Sequence, residues 1–579
     1  MEPLLFDREL SIVVSGEAGQ GLQTLERMLL KFMKRAGFHV FVYSEVMSRI
    51  RGGNNSTEIR ISSERVSAFV DRIDLFIPIG RDAMSRFHER ISGDTLIAGD
   101  EKYIDPRFAA GHRVVPLPIA RSAQEAGGPI YANIIVFGII CAVVGARREE
   151  AVSFSGERFS SRSEEEIARN ADALTRGYEI ARTDLAPAVS AAIPASAAVK
   201  EEMVLYGNES IGLGAVTGGC NFIASYPMSP STAVLTFMAR LADEFGIVVE
   251  QAEDEISAVN MAIGAWYAGG RAMVTTSGGG FALMVEGLSL CGCVESPLVV
   301  HLGQRPAPAT GLPTRTEQGD LLMALYAGHG AFPRILLAPG SAEEGIEVTR
   351  HAFTMADKYQ VPVIILTDQY FLESACNLPE PDAGPPDEQA YIVKTGPDYR
   401  RFSLTENGVS PRGIPGYGDG FISVTSDEHT EDGHITEDPL IRIGMVDKRL
   451  RKKTAMMMDA LEPRLMGSGS YSTLVVCWGS TIKTAAEAMG KLNDKSIALL
   501  HIVQVHPLHP VTARYIGRAK RVLVVENSSA PQLSVILLNE TGRAPDAEIR
   551  KYDGMPFSVE EVAERVGERL ASWKDGAAS

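Results

Sequence analysis

The chain of 579 residues predicts an α/β fold in three domains. Short apolar runs alternate with stretches of helical periodicity, glycine turns sit where runs meet helices, and the length far exceeds one domain of roughly 150 residues. Charged residues make up 22% and hydrophobic residues 45%, the mixture of a folding globular chain. The formal net charge of −17 opposes nucleic acid or an anionic membrane surface as the main partner. Proteins and small molecules are the expected partners.

The first domain is expected over 1–184. An apolar run at 10–15 leads into Gly16-Glu17-Ala18-Gly19-Gln20-Gly21, and 22–36 then carries apolar residues at helical spacing. Further runs at 40–43, 75–79, 95–98 and 114–119 alternate with helical stretches, which predicts a sheet covered on both faces. The apolar stretch 129–146 reads as a buried helix, being slightly short for a bilayer and interrupted by Asn133 and two glycines. The glycine loop is open to two readings: a tight strand-to-helix turn, or a cradle for phosphate groups supported by Arg49 and Arg51 ahead of Gly52 and Gly53. It lacks GxGxxG spacing and a following ribose-binding acid, which disfavours a nicotinamide cofactor.

Residues 185–201, rich in alanine, proline and serine, are expected to link the domains. A second α/β domain is expected over 202–377, with strands at 222–225, 272–276, 298–302, 335–337 and 361–366. Residues 378–469 have weak periodicity with much proline, glycine and charge, and read as an extended connector. A third domain over 470–579 returns to alternating strands and helices, with strands at 473–477, 497–502 and 522–526. The six cysteines, Cys141, Cys220, Cys291, Cys293, Cys376 and Cys477, have no cluster spacing. With no leader-like segment at 1–12, they predict a reduced, cytoplasmic setting.

The second domain holds most of the chemistry. At 226–232, YPMSPST follows a strand and opens a helix, so Ser229 or Ser231 either caps the helix or presents a hydroxyl to a ligand. Four carboxylates crowd into 250–255 ahead of an apolar helix, a placement that also suits the helix dipole. Thr275-Thr276-Ser277-Gly278-Gly279-Gly280 and Arg305 follow strand ends, where ligands of parallel sheets collect. His301 and His329 flank strands and suit structural roles or a substrate contact. The acids and histidines of 427–434 suit either an exposed polar connector or a divalent metal.

In order, these motifs resemble the fused γ and α portions of 2-oxoacid:ferredoxin oxidoreductases. They are GxxGQG and RGG, YPMSPST, AEDEISAVNMAIGA, TTSGGG, GQRxxPATGLPT, EQxDL, GVSPR, DEH at 427–429 and VVEN at 524–527. The resemblance implies a γ-type domain, a pyrimidine-binding-type thiamine domain and a transketolase C-terminal-like domain. It implies coenzyme A-dependent oxidative decarboxylation of a 2-oxoacid, 2-oxoglutarate above all, with electrons passed to ferredoxin. Glu255 would be the carboxylate that hydrogen-bonds the aminopyrimidine of thiamine diphosphate and favours loss of its C2 proton. Ser229, Arg305 and Thr314 would bind the substrate, and Gly16, Gly19, Gly21 and Arg51 would be cofactor-binding, with coenzyme A falling either to this glycine loop or to the partner subunit. The family motif usually reads YPITP, so Met228 and Ser229 depart from it while keeping a hydroxyl. Gly418-Asp419-Gly420 imitates a diphosphate motif without partner asparagines. A β subunit holding thiamine diphosphate, Mg²⁺ and a [4Fe-4S] cluster is therefore implied, in an (αβ)2 assembly.

Overall fold

The computed structural model describes residues 3–17, 19–47, 53–381 and 391–578. They divide into two compact units, Met1–Tyr206 with Glu373–Pro381, and Gly207–Leu372 with the described part of Asp382–Ser579.

The first unit is built on an eight-stranded mixed sheet. Its order is Arg113–Pro116, Leu96–Gly99, Leu75–Pro78, Glu9–Glu17, Asn54–Ser62, His39–Glu45, Ser374–Leu378, Met203–Tyr206. The first four strands are mutually parallel and the last five antiparallel, Glu9–Glu17 belonging to both halves. Side chains alternate across a strand, and here Leu10, Ile12 and Val14 enter one core while Val13 enters another with Phe76, Met84 and Phe87. Both faces are covered, as the alternating runs predict.

Three strands escape a hydrophobicity reading. Asn54–Ser62 is buried but polar, because Glu58 pairs with Arg90 at 2.7 Å and Arg60 with Glu9 at 2.9 Å. Met203–Tyr206 and Ser374–Leu378, expected in the second domain, instead complete this sheet. Asn377 fixes them: its Oδ1 accepts from Val40 N at 2.6 Å, and its carbonyl accepts from Arg65 Nη1 at 2.8 Å. Within 185–201, Val189–Ala191 pairs in parallel with Leu4–Phe6, and a 3₁₀ turn follows at Ala198–Glu201.

The apolar stretch forms the buried helix Ala132–Val143, packed on Glu164–Ile180. No described helix is long and apolar enough to cross a membrane. The two helices approach at Gly138 and Gly177, where a Cβ on Gly177 would run into the Ile135 carbonyl. A Gly177→Val variant is therefore expected to lose about 1–3 kcal/mol of stability, read as an earlier denaturant midpoint.

The second unit carries two sheets. The larger runs Val248–Gln251, Phe222–Ser225, Ala272–Thr276, Leu298–Gln304, Pro362–Asp368, Ile335–Leu337, Gln504–His506. All its neighbours are parallel except the last, so a strand from the C-terminal region closes a sheet begun at Phe222. The smaller runs Arg464–Gly467, Ile497–Ile502, Thr473–Trp478, Arg521–Glu526, Ala547–Arg550. One hydrophobic core, from Ile211 through Trp266 and Ile364 to Trp478 and Leu537, joins the two.

Part of the expected connector is regular. Pro439–Met458 is a helix of 20 residues, capped by Asp438. Its buried positions include Lys448, Arg449 and Lys452, so its inward face looks polar in sequence although it is packed.

Candidate active site

The parallel sheet of the second unit ends in four turns that gather the predicted residues. After Phe222–Ser225 the chain passes Ser229 and enters the helix Thr232–Phe245; Ser231 Oγ donates to Met228 O at 2.7 Å. After Leu298–Gln304 comes Arg305, whose Nη1 donates to Ser229 O at 2.6 Å. These two residues, 76 positions apart, thus meet at adjoining strand ends. Thr314 sits half-buried on the turn closed by Arg315 N and Leu312 O, and no hydrogen bond links it to either Ser229 or Arg305.

Glu255 opens the helix Glu255–Tyr267, whose Asp254 caps it by accepting from Ser257 N at 2.7 Å. Of the four clustered carboxylates, Asp254 is thus the cap. Glu255 is buried at 3% exposure, and its Oε1 has no hydrogen-bond partner among the described residues. At this end of the sheet two further buried oxygens share the condition, Ser277 Oγ and Asp320 Oδ2. All three surround Gly278-Gly279-Gly280. A Cβ on Gly280 would lie 2.5 Å from Glu255 Oε1, and one on Gly278 would lie 2.6 Å from Asp320 Oδ2. The glycines let two carboxyl groups close on the turn. Buried polar atoms are seldom left unpaired, so three of them around one bare turn mark a place where a polar ligand completes the bonding.

Asp320 is the residue that the sequence reading missed, although EQxDL contained it. Gln304 Oε1 accepts from its backbone N at 3.0 Å and holds it beside Arg305. Burial raises the Asp320 carboxyl to about 6, Glu317 adds to the rise, and Arg305 opposes it. Burial in turn lowers the Arg305 guanidinium, with Asp320 working against that shift. His301, by contrast, is fully buried between the hydroxyls of Thr275 and Thr367 at 2.7 and 2.8 Å. Burial pushes it down to about 3, so it serves as a neutral structural bridge. His329 is exposed.

In the first unit, Gly16 lies near the end of the strand Glu9–Glu17, while Gly19 and Gly21 adopt φ of 92° and 78° before the helix Leu22–Ala36. Those left-handed values favour glycine. A cavity of about 550 Å³ adjoins them, with Lys102, Asn133 and Arg162 among its walls. Arg49 and Arg51 lie outside the described residues.

The acid and histidine run is internally engaged. Glu428 pairs with Arg449 at 2.8 Å and with Arg442, and His429 stacks on Phe402 at 3.8 Å. Among the described residues no group of three or more acids, histidines or cysteines could hold a metal ion. Burial pushes the Cys291 thiol up, and Cys293, half-buried, moves the same way. Gly418-Asp419-Gly420 folds against Thr395, Asp419 N donating to its carbonyl at 2.9 Å.

Residues 213–448 match the family model described as pyruvate flavodoxin/ferredoxin oxidoreductase, thiamine diphosphate-binding, and 11–180 match the pyruvate ferredoxin/flavodoxin oxidoreductase model. The 2-oxoacid:ferredoxin oxidoreductase 1 subunit alpha of Aeropyrum pernix is 34% identical across 98% of each chain. The chain belongs to the 2-oxoacid:ferredoxin oxidoreductase family, as an alpha subunit. The 2-oxoglutarate synthase subunit KorA of Archaeoglobus fulgidus is 32% identical over 58% of this chain and 90% of its own. A solved 2-oxoglutarate:ferredoxin oxidoreductase from Magnetococcus marinus, with 2-oxoglutarate, coenzyme A and succinyl-CoA bound, superposes with a TM-score of 0.89 at 29% identity. That match covers 97% of this chain and 99% of the other. The oxidoreductase alpha subunit thus carries a thiamine diphosphate-binding-type domain, with Glu255, Ser229, Arg305 and Asp320 at one end of its sheet.

Proposed function

We propose that this alpha subunit, with a β subunit, catalyses the reversible coenzyme A-dependent oxidative decarboxylation of 2-oxoglutarate to succinyl-CoA with reduction of ferredoxin. The observation that carries the reading is the glycine turn ringed by three unpartnered buried oxygens. The KorA relative and the 2-oxoglutarate-bound structure support the choice of substrate. Thiamine diphosphate, when bound, supplies the electron sink needed to decarboxylate a 2-oxoacid. Glu255, whose buried Oε1 has no partner among the described residues, would hydrogen-bond the aminopyrimidine ring, and the bare backbone of Gly278–Gly280 leaves room for it. Arg305 and the hydroxyls of Ser229 and Thr314 hold the substrate carboxylate, a role for which a planar guanidinium is suited.

The diphosphate, Mg²⁺ and a [4Fe-4S] cluster belong to the β subunit in an (αβ)2 assembly. Coenzyme A is held by the loop of Gly16, Gly19 and Gly21, where left-handed glycines precede a helix N-terminus. The γ-type domain takes in 1–206 and 373–381, the thiamine-type domain lies within 207–372 and the transketolase C-terminal-like domain within 470–579, and the setting is the cytoplasm.

The test is anaerobic reduction of a viologen dye by the chain with its copurifying partner, supplied with coenzyme A and either 2-oxoglutarate or pyruvate. Turnover chiefly with 2-oxoglutarate is expected. A preference for pyruvate would sink the substrate while sparing the family.

Asp320 gives a pH prediction. Its carboxyl is raised from the ordinary value near 3.8 to about 6, so the folded chain binds more protons than the unfolded one between those values. Stability is therefore lost as pH rises through about 6, the ionised form being buried and facing Glu317, with Arg305 opposed. An Asp320→Asn variant should melt above the wild type at pH 7 to 8, by up to about 3 kcal/mol, and match it below about pH 4. Parallel melting curves at every pH would refute the shift.

A further inference from the structure

A second buried charge cluster lies in the same unit, between the helices Glu255–Tyr267 and Val285–Cys293, the helix Pro439–Met458 and the irregular segment before it. Glu295 pairs with Lys448 at 2.5 Å and with Lys452 at 2.6 Å, and Arg412 pairs with Asp357 at 2.6 Å. Arg401 pairs with no carboxylate among the described residues; its Nη2 donates to Glu295 O at 2.7 Å. All six side chains are at most 4% exposed. Four cations thus face two carboxylates, and backbone carbonyls supply only partial charges.

A buried ion without its counter-charge costs several kcal/mol. Burial pushes Lys448 down to about 8 and lowers Lys452 as well, Glu295 opposing both shifts, so any relief falls on the lysines and leaves Arg401 without a carboxylate. Arg449 contributes no acid either, because Glu428 already serves it and Arg442. Two guanidinium nitrogens, Arg401 Nη1 and Arg412 Nε, are buried with no hydrogen-bond partner among the described residues. The two residues line one cavity of about 320 Å³. Its other walls are mostly apolar, with Ile263, Trp266, Leu290 and Val294, and the hydroxyls of Ser296 and Thr425 at hand.

We infer that this cavity binds a small amphiphilic carboxylate, its anionic head on Arg401 and Arg412 and its apolar body against Trp266 and Leu290. The head completes the bonding of both guanidinium groups and offsets the excess charge, while the walls bury a short hydrocarbon body. The site is separate from the catalytic one. Its walls on the Glu255 helix run from Asn260 to Tyr267, about 8 to 18 Å along the axis from Glu255 at 1.5 Å per residue. It is therefore a subsite for an effector, independent of the proposed reaction.

Trp266 reports occupancy, because the Arg412 guanidinium lies 5.6 Å from its ring centre and an anion there changes its emission. The experiment titrates the full chain with octanoate, with octanol as the uncharged body and with inorganic phosphate as the bare anion. Saturable octanoate binding is expected, with octanol and phosphate each at least about tenfold weaker. Arg401→Gln should weaken octanoate by at least about tenfold. Because that variant disturbs a buried cluster, Gly264→Leu provides a second handle. Gly264 lines the cavity and a Cβ on it meets nothing within 4 Å, so leucine fills the space while keeping the helix. Loss of octanoate binding in Gly264→Leu, with an unchanged melting temperature, supports the site. No saturable octanoate signal, equal affinity for octanol, tighter phosphate binding, or unchanged octanoate affinity in Gly264→Leu would each overturn it.

Discussion

Exchange of Glu255 for glutamine is expected to lower coenzyme A-dependent turnover of the assembled enzyme by about 10²–10⁴-fold, the range for a positioned acid–base group. Glutamine keeps the shape and can still hydrogen-bond, but it cannot hold a negative charge or exchange a proton. Substrate affinity should change far less, because the substrate carboxylate rests on Arg305 and not on Glu255. A structural role predicts a different pattern. Glu255 Oε1 is buried and unpartnered among the described residues, so its desolvation offsets what the helix dipole returns. The isolated Glu255→Gln chain should melt at or above the wild-type temperature, the usual trade between stability and a charged site. Lower activity joined to a lower melting temperature would point to a misfolded variant and count against the assignment.

Arg305→Ala is the second large effect. Each hydrogen bond to a charged group is worth about 1.5–3 kcal/mol, so losing the two that a guanidinium fork makes to the substrate carboxylate should cut kcat/KM by about 10²–10⁴-fold. The loss should fall mainly on KM, since Arg305 binds a group present in ground and transition states alike. Arg305 also holds Asp320 below the value that burial alone would impose. Its removal should therefore raise the Asp320 carboxyl further and move upward the pH at which the loss of stability is complete, a shift that a mere packing defect would not produce. Arg305→Lys keeps the charge but not the fork, and should restore that pH dependence better than KM.

Much of the fold was legible because its strands are buried on both faces and read as plain apolar runs. Ala272–Thr276 and Ile497–Ile502 appear in the sequence with the bounds they have in the structure. Glycine turns and a capped helix marked the candidate site, and family motifs assigned Glu255, Ser229 and Arg305 to it. Two of the elements that escaped share one cause. Asn54–Ser62 and Pro439–Met458 are buried through ion pairs, so their inward faces carry Glu58, Arg60, Lys448 and Lys452 where a periodicity reading expects apolar residues.

From sequence alone came the α/β class, the order of motifs and the family resemblance, because local periodicity and residue identity are properties of neighbouring positions. Tertiary structure alone decided which distant residues meet. It put Met203–Tyr206 and Ser374–Leu378 on the first sheet, Gln504–His506 on the second, and Asp320 against Gly278. It also placed four buried cations around two carboxylates, drawn from segments as distant along the chain as Glu295 and Lys452. Burial and electrostatic coupling depend on separation in space, and no pattern along the chain encodes that separation until the sheets and helices have packed.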